Sequence, residues 1–150
     1  MNEYYNEIDW LPPIPNNLIL PIEDIFKLKN VFAIPEMLDT YASFPAQESL
    51  SNFVNSYFDY DVKVKYQIIR KELPIHTDFG VGKVKYNYIV ETGGDNVITR
   101  WWDKTHKNIL YEIKCPQKRW HKLRINIPHN ITTPSNTRLT IVARKREEYE

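Results

Sequence analysis

From Asp61 to Arg144 the chain alternates apolar and polar residues in short runs, a period of two that predicts β-strands. Val62, Val64, Tyr66 and Ile68 alternate with Lys63, Lys65 and Gln67, and Val84, Tyr86, Tyr88 and Val90 with Lys83, Lys85, Asn87 and Ile89. Further strand-like runs cover 96–102, 108–114, 122–127 and 137–144, and turn clusters such as Thr92-Gly93-Gly94-Asp95-Asn96 and Thr133-Pro134-Ser135-Asn136 punctuate them. Short strands at this spacing predict an all-β sandwich or barrel.

Before Asp61 the pattern differs. Pro12, Pro13, Pro15 and Pro21 exclude helix interiors and central strands, so the first 21 residues read as an extended arm whose aromatics anchor it on the body. Leu50, Phe53, Val54, Tyr57 and Phe58 recur at helical spacing and predict a helix over 45–58, with Pro45 in its first turn. A shorter helix is expected over 22–29. The expected organisation is one domain over residues 1–150, with arm and helices over 1–60 and a β-core over 61–145. The charged tail from Arg144 to Glu150 reads as a solvated end.

Composition narrows the function classes. A chain of 150 residues, 42% hydrophobic and 13% aromatic, can bury a core without a metal or disulfide staple. A formal net charge of +1 gives no global signal for nucleic acid or an anionic membrane. Cys115 is the only cysteine, which fits a reducing compartment, and no apolar run approaches bilayer length. The expectation is a soluble, cytoplasmic protein with no strong nucleic-acid signal and no membrane partner.

The candidate chemistry lies in His76-Thr77-Asp78 and His129. Strand side chains alternate faces, so His76 and Asp78, two apart, point the same way. A distant His129 beside them would complete a two-histidine, one-carboxylate face, which holds non-haem Fe(II) and leaves coordination positions open. The competing reading is a surface or core histidine, His76, hydrogen-bonded to Asp78. His106 and His121 have no partner at ligand spacing and read as structural. Arg138 and Thr140 share a face with Val142, opposite Leu139, Ile141 and Ala143. On the outside Arg138 would be an ordinary solvated charge. Lining a cavity, guanidinium and hydroxyl would form a carboxylate clamp. Parity does not choose between the faces; the nearby metal set favours the cavity. Asn87, on the same face as Lys85, could reach a bound acid. One of Trp101 and Trp102 is core and the other borders the mouth, and Arg100 and Arg124 are solvated charges or anion binders.

His76-Thr77-Asp78, His129 and Arg138-Leu139-Thr140 together resemble the signature of the Fe(II)/2-oxoglutarate-dependent oxygenases, over about Val62 to Arg144. Within that family, Tyr86 to Val90 and Thr99 to Trp102 look like the small aspartyl/asparaginyl or prolyl hydroxylase branch. The resemblance implies a mainly β double-stranded β-helix (jelly-roll, cupin-like) with N-terminal helices packed on the sheet. It also implies Fe(II) on His76, Asp78 and His129, 2-oxoglutarate held by Arg138 and Thr140, and dioxygen as second co-substrate. The implied activity is hydroxylation of a C–H bond in a small-molecule or peptide substrate, with release of succinate and carbon dioxide. Two rivals remain: a cupin-like protein that binds metal or a small acid without turnover, and a structural β-sandwich.

Overall fold

The computed structural model describes residues 2–28, 41–78 and 82–146. Among the described residues, ten strands form two antiparallel sheets, with two short α-helices beside them. The larger contains β1 (Tyr5–Ile8), β2 (Tyr41–Pro45), β3 (Val62–Ile69), β5 (Val84–Glu91), β8 (Trp120–Arg124) and β10 (Arg138–Lys145), in the order β1-β8-β5-β10-β3-β2. The smaller contains β4 (Leu73–His76), β6 (Thr99–Trp102), β7 (Ile109–Ile113) and β9 (His129–Ile131), in the order β4-β9-β6-β7. This is the mainly β, two-sheet architecture that the alternating pattern and turn spacing imply, arranged as the jelly-roll that the family resemblance implies.

The two faces of the larger sheet have different tasks. Val64, Tyr66, Ile68, Leu139, Ile141 and Ala143 form one buried cluster with Leu50 and Val54 of α2 (Glu48–Asn55) and Ile25 of α1 (Ile22–Ile25). The helices and the proline-rich arm thus seal the outer face, Leu11 and Ile14 being buried in the same cluster. The opposite face looks toward the smaller sheet. Its rows follow from register: Thr140 lies beside Gln67 and Ile89, and Val142 beside Lys65 and Asn87. Arg138, Thr140, Asn87 and Lys85 are all buried, so this face is turned into the interior between the two sheets, the lumen of the roll.

Several expectations need correction. Pro45 ends strand β2 and does not open the helix, which begins at Glu48. β2 is an edge strand paired only with β3, where the missing proline N–H costs no central ladder bond. The arm does more than pack, because Tyr5–Ile8 adds a strand to β8. Two strands of the larger sheet therefore precede residue 61. Trp10 is 49% exposed, edge-on to Phe58 and Tyr86, and so is only a partial anchor. Arg144 is no solvated tail residue: its side chain is 13% exposed and faces the lumen. The helix expected over 22–29 is shorter, ending at Ile25; residue 29, the 79–81 part of the turn after Asp78, and residues 147–150 lie outside the described residues.

Candidate metal centre

β4 and β9 bring the two remote histidines together, because His76 pairs directly with His129 across the antiparallel ladder. The two ring centroids are 4.4 Å apart. Asp78 lies just beyond the end of β4 and is anchored by its backbone N–H, which donates to the Ile125 carbonyl at 3.0 Å. One ligand atom from each of His76, Asp78 and His129 lies within 4.8 Å of the others. The structure thus assembles the three residues that the sequence separates by 51 positions.

The proton positions follow from the neighbours. His76 Nδ1 lies 2.8 Å from the Pro74 carbonyl and His129 Nδ1 2.6 Å from the Ile127 carbonyl. A carbonyl only accepts, so each Nδ1 carries a proton, and Nε2 is the nitrogen each ring can offer to a ligand. Both Nε2 atoms face the same carboxylate: His76 Nε2 is 3.5 Å from Asp78 Oδ1 and His129 Nε2 is 3.7 Å from Asp78 Oδ2. His129 Nε2 is buried with no hydrogen-bond partner. Burial first, and His76 second, holds the His129 imidazole well below its usual value and therefore neutral. For Asp78, burial pushes the carboxyl up, but Lys85, Arg144, His129 and His76 outweigh it and keep it below the usual carboxylate range. Two imidazole Nε2 atoms and an ionised carboxylate, with the buried His129 Nε2 left without a partner, fit a divalent metal.

Arg144 donates from Nη2 to Asp78 Oδ2 at 3.2 Å, while its Nε is buried without a partner. Such a contact orients a ligating carboxylate. Lys85 lies in the same row as Arg144, since Ala143 pairs with Tyr86 in the antiparallel ladder. Burial, and then Arg144, lowers the Lys85 ammonium to about 8; the same two causes in the same order lower Lys65 to about 8.

At the other end of the inward row on β10, Arg138 is 2% exposed and donates from Nη1 to the Thr92 carbonyl at 3.2 Å. Its Nε has no partner, and the group that most favours its charge is the Cys115 thiol, not a carboxylate. Gly93 (φ +86°) permits this closeness, since a Cβ there would lie 2.8 Å from Pro134 and 3.0 Å from the Arg138 side chain. Thr140 donates its hydroxyl to Gln67 Oε1 at 3.0 Å. Asn87 Oδ1 is buried and unpartnered.

The remaining candidates separate cleanly. Trp101 is 1% exposed, pairs with His129 across the strands and donates its indole N–H to the Arg124 carbonyl. Trp102, on the other face, donates to Asn130 Oδ1. Arg100 is engaged by Glu112 at 2.8 Å, and Arg124 donates to Asn126. His121 is fully buried in the lumen wall, linking the Tyr5 hydroxyl at 2.8 Å to the Pro116 carbonyl at 2.9 Å. His106 sits at positive φ (61°) in an exposed turn. A surface hollow of about 320 Å³ is lined by Arg124 with Asn2, Tyr4, Lys83 and Lys122 among others, and by none of His76, Asp78 and His129. Sequence reasoning missed Arg144, Lys85 and Lys65 as site residues. For Arg144 and Lys85 the even spacing from Arg138 and Asn87 on the same strands was the available signal; Lys65 had no such reference on β3.

No protein-family model and no curated protein matches the sequence. Solved structures do match the fold. Fe(II)-HppE with the alternative substrate (S)-1-HPP matches with a TM-score of 0.52 and 14% identity, over 89% of this chain and 65% of that one. Vicilin from Corylus avellana (hazelnut) matches at 0.53 and 9%, over 81% and 32%. An oxalate decarboxylase structure matches at 0.50 and 5%, over 81% and 28%. The chain spans less than two thirds of the length of each of these structures. At such identities the likeness establishes the fold: this chain has the cupin-type jelly-roll.

Proposed function

We propose that this protein is an Fe(II)- and 2-oxoglutarate-dependent oxygenase that hydroxylates a C–H bond, releasing succinate and carbon dioxide. The observation that carries this reading is the His76–Asp78–His129 face, in which both Nε2 atoms and an ionised carboxylate converge while both Nδ1 protons are held by carbonyls. Fe(II) held there would supply the redox chemistry with dioxygen, and the protein supplies orientation and a dry pocket. HppE is, by its description, an Fe(II) enzyme of the same fold, which supports iron as the metal.

The co-substrate assignment rests on β10. Arg138 and Arg144 project into one lumen from the two ends of the same strand face, and neither guanidinium is fully satisfied. A diacid is the ligand this reading assigns, with one carboxylate at the metal and the other directed along the strand face toward Arg138. Thr140 stands between them and, with Asn87, offers polar contacts along the way. Buried cations without a matching acid are costly, so the lumen calls for an anion.

A second reading has one specific observation behind it. Arg144 already pairs with Asp78, so His76, Asp78, His129 and Arg144 could form a closed ion-pair cluster in a cupin-type protein that performs no turnover. Succinate release under air, dependent on added Fe(II) and 2-oxoglutarate, decides between them. Arg138→Ala is expected to cost 2-oxoglutarate binding while sparing metal binding. Equal loss of both, or no Fe(II)-dependent succinate, contradicts the assignment.

A further inference from the structure

The lumen holds more positive charge than a metal-bound diacid can answer. Asp78 is shared between the two histidines and Arg144, and Arg138 lies at the far end of β10. Lys85 is left over. It is 6% exposed, stands in the row of Arg144, and makes no ion pair among the described residues; Asp78 is the only acid there that favours its charge. Its partner in the neighbouring row, Asn87, is 3% exposed with an unsatisfied Oδ1. Lys65, on the far side of β10, adds a further positive charge level with Asn87. A buried ammonium normally has an anionic partner, because the cost of desolvating it alone is several kcal/mol. Nor does Lys85 belong to the sealed outer face, where apolar packing could explain a buried lysine stem.

We propose that the substrate oxidised at this site is itself an anion, with a carboxylate or phosph(on)ate group held by Lys85 beside the metal. This rests on the oxygenase reading but makes a separate claim. Lys85 donates to an anionic oxygen of the substrate, and Asn87 Oδ1 accepts from a neighbouring hydroxyl or amide. The charge of the substrate thus fixes which of its carbons faces the metal. Amides, neutral sugars and hydrocarbons would leave Lys85 unmatched.

The test is a thermal-shift titration of the full chain with saturating Mn(II) and 2-oxoglutarate, to which acetate or methylphosphonate is added as a third component. The two anions separate carboxylate from phosphonate recognition. Wild type should show a saturable further stabilisation by at least one of them. Lys85→Met should weaken that binding about tenfold or more, the worth of a charge-assisted hydrogen bond, while keeping the shifts from Mn(II) and 2-oxoglutarate. Without any added anion, Lys85→Met should melt no lower than wild type, because a buried cation and its repulsion by Arg144 are removed. If Lys85→Met does not fold, Lys85→Gln takes its place with the same expectation for anion binding. Unchanged anion affinity in the variant, or no third-component shift in wild type, overturns the proposal. A missing 2-oxoglutarate shift would count against the oxygenase reading instead, since the anion titration can be repeated with Mn(II) alone.

Discussion

Two backbone carbonyls determine what His76 and His129 can do. By accepting the Nδ1 protons they leave Nε2 as the nitrogen each ring can offer, and an imidazole held in this way is a metal ligand. His121 shows the contrast. Its Nδ1 accepts from the Tyr5 hydroxyl and its Nε2 donates to Pro116, so both nitrogens are spent and the ring is structural. Burial first lowers its pKa, so the folded state holds it neutral where the unfolded chain, titrating near about 6.5, takes up a proton. The unfolded state then binds more protons, and stability falls as pH drops below about 6.5. In metal-free protein, the acid limb of stability against pH should be shallower for His121→Gln than for wild type; identical slopes would remove His121 as a contributor. At this scale the sequence showed which residues bear chemistry and not how they are held. His-x-Asp spacing placed His76 and Asp78 on one side, yet the carbonyls of Pro74 and Ile127 belong to the backbone and leave no trace in residue identity. Arg144 was misread because it opens a run of charges, although its parity with Arg138 put it on the inward face.

At the level of elements, β10 does most of the organising. Its central position between β5 and β3 gives it two buried faces, Leu139, Ile141 and Ala143 outward to the helices and Arg138, Thr140 and Arg144 inward to the lumen. The two faces should separate experimentally. Ile141→Ala removes a fully buried side chain from the outer core and should cost about 2–5 kcal/mol in urea unfolding while leaving metal affinity unchanged. A comparable loss of metal affinity would show that the faces are coupled. Alternation made β3, β5 and β10 legible, because one face of each is uniformly apolar. Which face met solvent was not, since both are covered and periodicity reports only that they differ. The short strands escaped for a related reason. Tyr5–Ile8 and His129–Ile131 contain too few residues to show a period, and Tyr41–Pro45 ends in a proline that suits a helix start equally well.

At the scale of the described molecule, the jelly-roll encloses apolar clusters drawn from both sheets side by side with a polar, cation-rich region. Trp101, Leu123, Ile89, Cys115 and Tyr5 pack together, Ile69, Leu73, Val97 and Ile131 form a second cluster, and the cations of β3, β5 and β10 occupy the space beside the metal ligands. Cupin-type structures as different as HppE, vicilin and oxalate decarboxylase share the frame, so function here rests on side chains and not on topology. Everything proposed depends on one ion occupying the His76–Asp78–His129 face. Anaerobic calorimetric titration of the apoprotein with Fe(II) measures that directly. The account predicts one equivalent bound by wild type and binding abolished in a folded His129→Ala variant. Absence of stoichiometric binding, or an unchanged isotherm in the variant, would contradict it.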